Sequence, residues 1–470
     1  MIINERKTLF SVRLFKMNII VVGCGKIGTS VVSALVNEGH DVTAMDANPD
    51  VINEITNIYD VMAVCGNGTD CEALEEARVD ACDVFVAVTG SDELNMLSCF
   101  IAKKMGAKHT VARIRNPEYN DRSLSFMRHQ LELSRAINPE LMMAQELHNL
   151  LKLPSAYKVE YFSGRSLEMI EVRLKKGSSL IGKKLSKIRD REKENFLIGA
   201  VLRDNELHIP DGNFELCEGD TVSILATPSD MQKLLKSLDM IKKAVKDVMI
   251  IGGSRSAFYL AKILSATGTN VKIIEKNREN CVRLSEILPK TDIIHGDGSH
   301  HDVLMEEGLR TIDAFVALTG MDEENILTSL FAGEFNVPKV ITKINSDELT
   351  KMGEKLGLDS VISTKSITAD IIIRYARALE NSTGSNIETL YKFMDGKAEA
   401  IEFNVRAGSK IIGVPIKDLS LKSGILIAGI IRERKTAIIP TGDTVINEGN
   451  RVIVLASAAH RLGDLSDILR

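Results

Sequence analysis

The 470-residue chain contains no tryptophan, and its seven tyrosines and fourteen phenylalanines make up only 4% of it. Stacking platforms for bases and aromatic cages for quaternary amines are therefore poor candidates for its chemistry. Positive charge is not in excess either. The 59 lysines and arginines stand against 64 acids, a net charge of −5, so the electrostatic footprint of a nucleic-acid binder is missing. No apolar run approaches the ~18–20 residues needed to cross a bilayer; the longest are about seven residues, as in 425–431. The seven cysteines (Cys24, Cys65, Cys71, Cys82, Cys99, Cys217 and Cys281) are odd in number and include no C-x-x-C pair. That pattern argues against zinc and redox motifs and fits a reduced cytosol. Residues 1–16 carry Arg6, Lys7, Arg13 and Lys16 without the apolar core of a signal peptide. They read as a disordered leader, or as a start codon placed too early.

What is present is a duplication. Residues 83–90, Asp-Val-Phe-Val-Ala-Val-Thr-Gly, return about 230 residues later at 313–320 as Asp-Ala-Phe-Val-Ala-Leu-Thr-Gly. Both copies continue into Asp-Glu-x-Asn, with Asp92, Glu93 and Asn95 matched by Asp322, Glu323 and Asn325. Gly66-Asn67-Gly68-Thr69 matches Gly296-Asp297-Gly298-Ser299, and Gly177-Ser178 with Ile181-Gly182 matches Gly408-Ser409 with Ile412-Gly413. Within each copy, short β-branched runs first alternate with helical patterns, which implies a doubly wound α/β sheet. Short strands separated by Gly, Pro and charged turns follow, which implies a small α+β domain with a mostly antiparallel sheet. The expected units are 17–140 and 246–372 of the first kind, and 156–240 and 386–470 of the second. Lys-rich 233–246 and polar 380–388 read as linkers.

Strand residues Asn18–Val22 lead into Gly23-Cys24-Gly25-Lys26-Ile27-Gly28 at the start of a helix. In a Rossmann-like unit Gly23 makes the tight turn, Gly25 lets a pyrophosphate approach, and Gly28 lets helix and strand pack closely. The phosphates then rest on the helix N-terminus. Asp46 closes the next strand, eighteen residues past Gly28, where a carboxylate accepts from ribose hydroxyls and favours NAD over NADP. In the second copy the loop is Gly252-Gly253-Ser254-Arg255-Ser256-Ala257, with Glu275 in the acidic position. Ser254 puts a Cβ where the phosphate must approach, while Arg255 offers a charged contact in compensation. A second site of weaker or altered specificity is expected.

Catalytic machinery is not apparent. A nicotinamide-dependent dehydrogenase needs a general acid or base beside the hydride, and none of the nine histidines recurs between the copies. Neighbours such as His300 and His301 point about 100° apart on a helix, so no metal site is expected. Cys24 reads as a small filler between glycines; a redox thiol at the helix N-terminus is the sharper alternative.

The blocks Gly23-x-Gly-x-x-Gly28, Asp46, Gly66–Thr69, Ala87–Glu93 with Asn95, and Ala112–Tyr119 resemble those of RCK (KTN) domains. Their tandem order over about 18–470 resembles the cytosolic regulatory subunits of Trk-type potassium uptake systems. The resemblance implies a non-enzymatic protein, peripheral on the cytoplasmic face of the membrane and bound to a separate potassium-translocating subunit. It implies a homo-oligomeric ring in which nucleotide binding gates the pore. Carried over by position, the first site comprises Gly23, Cys24, Gly25, Lys26, Ile27, Gly28, Asp46, Thr89, Gly90 and Arg113. The second comprises Gly252, Gly253, Ser254, Arg255, Ser256, Glu275, Thr319, Gly320 and Lys343. NAD or NADH is the implied ligand, and Lys26 leaves ATP or ADP open as competitors. An NAD-dependent oxidoreductase of duplicated form is the alternative.

Overall fold

The computed structural model describes residues 16–119, 121–191, 195–238, 244–358, 360–382, 387–432, 436–460 and 462–470. The expected leader lies outside the described residues except for Lys16, which pairs with Asp41 at 2.5 Å.

The first sheet contains β1 (Asn18–Val22), β2 (Asp41–Asp46), β3 (Met62–Cys65), β4 (Val84–Ala87), β5 (His109–Arg113) and β6 (Arg135–Ile137). All are parallel, in the order β3-β2-β1-β4-β5-β6. Helices α1 (Lys26–Asn37), α2 (Pro49–Ile58), α3 (Cys71–Glu76), α4 (Asp92–Lys104) and α5 (Asp121–Gln130) connect them, and α6 (Pro139–Lys152) leaves the sheet. Strand order reverses between β1 and β4, and the Gly23 loop opens at that switch point, where doubly wound folds bind ligands. The next unit is antiparallel, with β7 (Lys158–Phe162), β8 (Leu167–Arg173), α7 (Leu185–Arg191), β9 (Phe196–Arg203), β10 (Glu206–His208), β11 (Thr221–Ala226) and α8 (Pro228–Ser237). Its order is β10-β9-β11-β8-β7.

The second copy repeats the plan. Its parallel sheet holds β12 (Asp247–Ile251), β13 (Asn270–Glu275), β14 (Asp292–His295), β15 (Ala314–Ala317), β16 (Lys339–Lys343) and β17 (Val361–Ile362). The helices are α9 (Arg255–Ala266), α10 (Arg278–Ile287), α11 (His301–Glu306), α12 (Asp322–Glu334), α13 (Asp347–Lys355) and α14 (Thr364–Ser382). Strands β18 (Ile387–Phe393), β19 (Ala398–Asn404), β20 (Ile425–Ile431), β21 (Ala437–Ile438) and β22 (Arg451–Ser457) form the last sheet, in the order β18-β19-β22-β20-β21. Fold class and duplication match the sequence reading.

The two linker assignments are corrected in part. Residues 233–237 are the end of α8, whose Met231, Leu234 and Leu235 are buried, and α14 continues to Ser382. Leu234 and Leu235 lie within the first of these segments and pack inward from α8, which a count of lysines does not reveal. Residues 239–243 and 383–386 lie outside the described residues.

The copies interlock. α6 packs on α9 and α14 on α1, so each loop helix is covered by the helix that leaves the other copy's sheet. Met143, Leu147, Leu150 and Leu151 of α6 share one core with Leu260 and Leu264 of α9 and Ile371–Ile373 of α14. The two antiparallel sheets also pack together, through Phe162, Leu167 and Met169 against Phe393, Ile453 and Leu455. A Cβ on Gly199 would lie 2.1 Å from Leu455 Cδ1, so a larger residue there would have to displace the Leu455 side chain. The repeated Gly177, Gly182, Gly408 and Gly413 all have positive φ, as the turn reading expects.

Glu168 on β8 and Glu399 on β19 hold matching positions, 5% and 6% exposed. Arg377 reaches Glu399 at 3.4 Å. Beside Glu168 the nearby charge is Arg165, and burial pushes the carboxyl up from 4.5 to about 7. A raised carboxyl costs stability in its charged form, so the cost is absent below about pH 4.5 and complete above about 7. Glu168→Gln is expected to stabilise the chain at pH 8 by up to about 3 kcal/mol and to leave it unchanged at pH 4. Equal melting shifts at both pH values would refute that assignment.

Candidate nucleotide-binding clefts

The first loop shows why each glycine is there. Gly23 has φ +89°, and a Cβ on it would lie 2.7 Å from Thr89 Cα. On Gly28 a Cβ would lie 1.9 Å from the Gly23 carbonyl oxygen. Gly25 differs: its Cβ would meet nothing within 4 Å, and as N-cap of α1 it supplies no capping side chain. The first turn of α1 therefore presents unsatisfied N–H groups to an open approach, the arrangement that receives phosphate.

Asp46 holds this loop as well as facing it. Its Oδ2 accepts from Cys24 N at 2.7 Å and its Oδ1 from Asn48 N at 2.9 Å. Each oxygen keeps a second lone pair for a ribose hydroxyl. The Cys24 side chain turns inward against the Val21 and Met45 carbonyls, and burial followed by the Asp46 charge pushes its thiol up to about 12. That direction favours the filler reading over the redox one.

The opposite wall is β4 and its turn. Asn95 Oδ1 accepts from Thr89 N and Thr89 Oγ1 at 2.8 and 2.7 Å, and Asn95 Nδ2 donates to the Arg113 carbonyl at 2.9 Å. Arg113 is 6% exposed and donates to the Thr89 carbonyl; burial, then Arg115, lowers it to about 10. It braces the wall from behind. Gly90 is open, Lys26 is exposed at the first turn of α1, and Ile27 is half-buried. Asp92 secures the floor, accepting from Arg115 N and Asn116 N at 2.8 Å each. Asn95, Asp92 and Arg115 were absent from the expected site, although the Asp-Glu-x-Asn recurrence marked two of them.

In the second copy Gly252, Gly253, Ser254, Glu275, Thr319 and Gly320 line one cavity of about 330 Å³. Glu275 repeats the Asp46 contacts, accepting from Gly253 N and Asn277 N at 2.7 Å each. Asn325 repeats Asn95, and Lys343 Nζ donates to the Thr319 carbonyl at 2.9 Å as Arg113 does to Thr89. Two differences alter the chemistry. Ser254 caps its own helix, accepting from Ala257 N at 3.3 Å, so that N–H is already engaged. Asp297 and Glu324 line the cavity where the first copy has Asn67 and Leu94, adding acidic side chains to its lining. Arg255 is exposed and Ser256 buried, and neither is among the cavity's lining residues.

A family model described as the TrkA-N domain matches residues 19–139 and 248–364, and one described as the TrkA-C domain matches 169–239 and 400–469. The chain is a member of the TrkA family. The Trk system potassium uptake protein TrkA homolog of Archaeoglobus fulgidus is 34% identical over 440 residues, covering 94% of this chain and 97% of its own. TrkA of Haemophilus influenzae is 29% identical over 461 residues, covering 97% and 99%. Among solved structures, the GsuK RCK domain superposes with a TM-score of 0.61 at 18% identity, over 95% of this chain and 94% of its own. The GsuK channel bound to NAD gives 0.62, over 95% and 78%. At that identity the likeness is one of fold. These TrkA relatives, matched over nearly their whole length, are named for potassium uptake, so the oxidoreductase alternative finds no support among them. Among the described residues, no helix is long and apolar enough to cross a membrane.

Proposed function

We propose that the chain is a non-enzymatic, nucleotide-sensing regulatory subunit that gates a separate Trk-type potassium-translocating membrane protein from its cytoplasmic face. The reading rests on the first cleft, where an uncapped helix N-terminus, an open Gly25 and the Asp46 carboxylate converge within a chain of the TrkA family. NAD or NADH is the primary ligand: Gly25 through Gly28 receive the pyrophosphate, and Asp46 receives the ribose. ATP or ADP compete for the same loop through exposed Lys26. The second cleft, with its capped helix and acidic lining, binds more weakly. The chains assemble as a homo-oligomeric ring, and a ligand shifts the ring only by its differential affinity for open and closed states.

Calorimetry of the full chain with NAD, NADH, ATP and ADP tests the ligand, and potassium flux through vesicles holding the membrane subunit tests the output. Binding together with nucleotide-dependent flux is the expected result. Absence of binding, or flux indifferent to every bound nucleotide, would sink the reading.

A further inference from the structure

The C-terminal end of α1 is held by charge. Glu38, its C-cap, sits between Arg377 of α14 and Lys392 of β18. Arg377 Nε lies 2.8 Å from Glu38 Oε2, a second guanidinium nitrogen bonds the same oxygen, and Lys392 Nζ lies 2.5 Å from Oε1. Arg377 also reaches Glu399 of β19 at 3.4 Å, and the Lys392 carbonyl accepts from Lys158 Nζ of β7 at 2.6 Å. The side chains of Glu38 and Glu399 are only 9% and 8% exposed. Burial opposes the Glu38 charge, but Arg377 and Lys392 outweigh it and hold the carboxyl below its usual range. Taking one partner from such a set strands a buried charge, so its geometry is strongly specified.

What this junction connects gives it meaning. α1 is a rod of about 18 Å. Its N-terminus is the uncapped phosphate end of the first cleft, and its C-terminus carries Glu38. The residues gripping Glu38 belong to the helix and the antiparallel sheet of the second copy. The other copy lacks the device: Thr267 is the C-cap of α9, exposed Lys152 takes the helical place of Arg377, and Tyr161 takes that of Lys392. Of the two acids, only Glu399 has a counterpart, Glu168.

We propose that the Glu38–Arg377–Lys392 junction transmits occupancy of the first cleft to the second antiparallel domain, with these three as positioning residues. The proposal rests on nucleotide binding in the first cleft. Hydrogen exchange of the full chain, with and without saturating NAD, reads it directly. In the wild type, NAD should slow exchange over 23–37 and change it over 387–404. In Glu38→Gln the first response should persist with affinity nearly unchanged, while the second falls about fivefold or more. Lys392→Met, at a half-exposed position, should behave alike and carries the test if Glu38→Gln fails to fold. A full response over 387–404 in a folded variant overturns the proposal, as does a wild type that binds NAD without any change there. A wild type showing no protection at 23–28 overturns the nucleotide reading itself.

Discussion

Gly25→Ser is expected to lower nucleotide affinity about tenfold to a hundredfold, the cost of one charge-assisted hydrogen bond, while stability holds or rises. The opposite signs follow from the loop. Gly25 has φ −67° and ψ −167°, which serine adopts without strain, and its Cβ direction is open. Ser254 at the matching position has φ −69° and ψ 167°, and it caps Ala257 N. A serine at 25 would cap Gly28 N in the same way, gaining a few tenths of a kcal/mol over glycine. The N–H so engaged is one the pyrophosphate needs, and the hydroxyl stands in its approach. Asp46→Ala cannot separate these effects, because Asp46 also accepts from Cys24 N and Asn48 N. Calorimetry with NAD and a melting curve on one sample decide the matter. Undiminished affinity would mean that phosphate does not rest on α1.

The same contrast explains what was legible in the sequence. The glycine loops were readable because their demands are local: a positive φ at Gly23, a packed contact at Gly28 and an open approach at Gly25 lie within one turn of chain. The carboxylate at Asp46 was readable because sheet topology sets its spacing. Arg113 was found by position, but its role was not: a basic residue closing a strand before a cleft resembles a ligand contact, whereas the fold turns it onto the Thr89 carbonyl. Glu38 gave no signal, being one acid at a helix end. Its meaning depends on Arg377 and Lys392, more than three hundred residues away. α6 likewise fell in the interval between expected domains, since the apolar face of Met143, Leu147 and Leu151 finds its partner in the other copy.

That interlocking predicts the largest effect on the protein itself. If the chain is divided within 239–243, the fragments 1–242 and 243–470 should each fail to give a stable monomer, yet co-purify as a pair when expressed together. Division strips α6 from α9 and α14 from α1. Met143, Leu147, Leu150 and Leu151 are at most 3% exposed in the intact chain. At roughly 1.5–3 kcal/mol for each such side chain, their exposure removes about 6–12 kcal/mol, comparable with the whole stability of an ordinary domain. The pairing of the antiparallel sheets through Phe162 and Phe393 would be lost as well. A fragment has two ways to cover these faces, aggregation or a second copy of itself, because each half retains both a loop helix and a departing helix. Size-exclusion chromatography with light scattering distinguishes the outcomes. A half that purifies as a monomer and melts like the intact chain would show that the duplication joins two independent units. A self-paired half would show that the single chain is a covalent version of a symmetric dimer, in which fusion freed one loop to keep its glycine and the other to exchange it for serine.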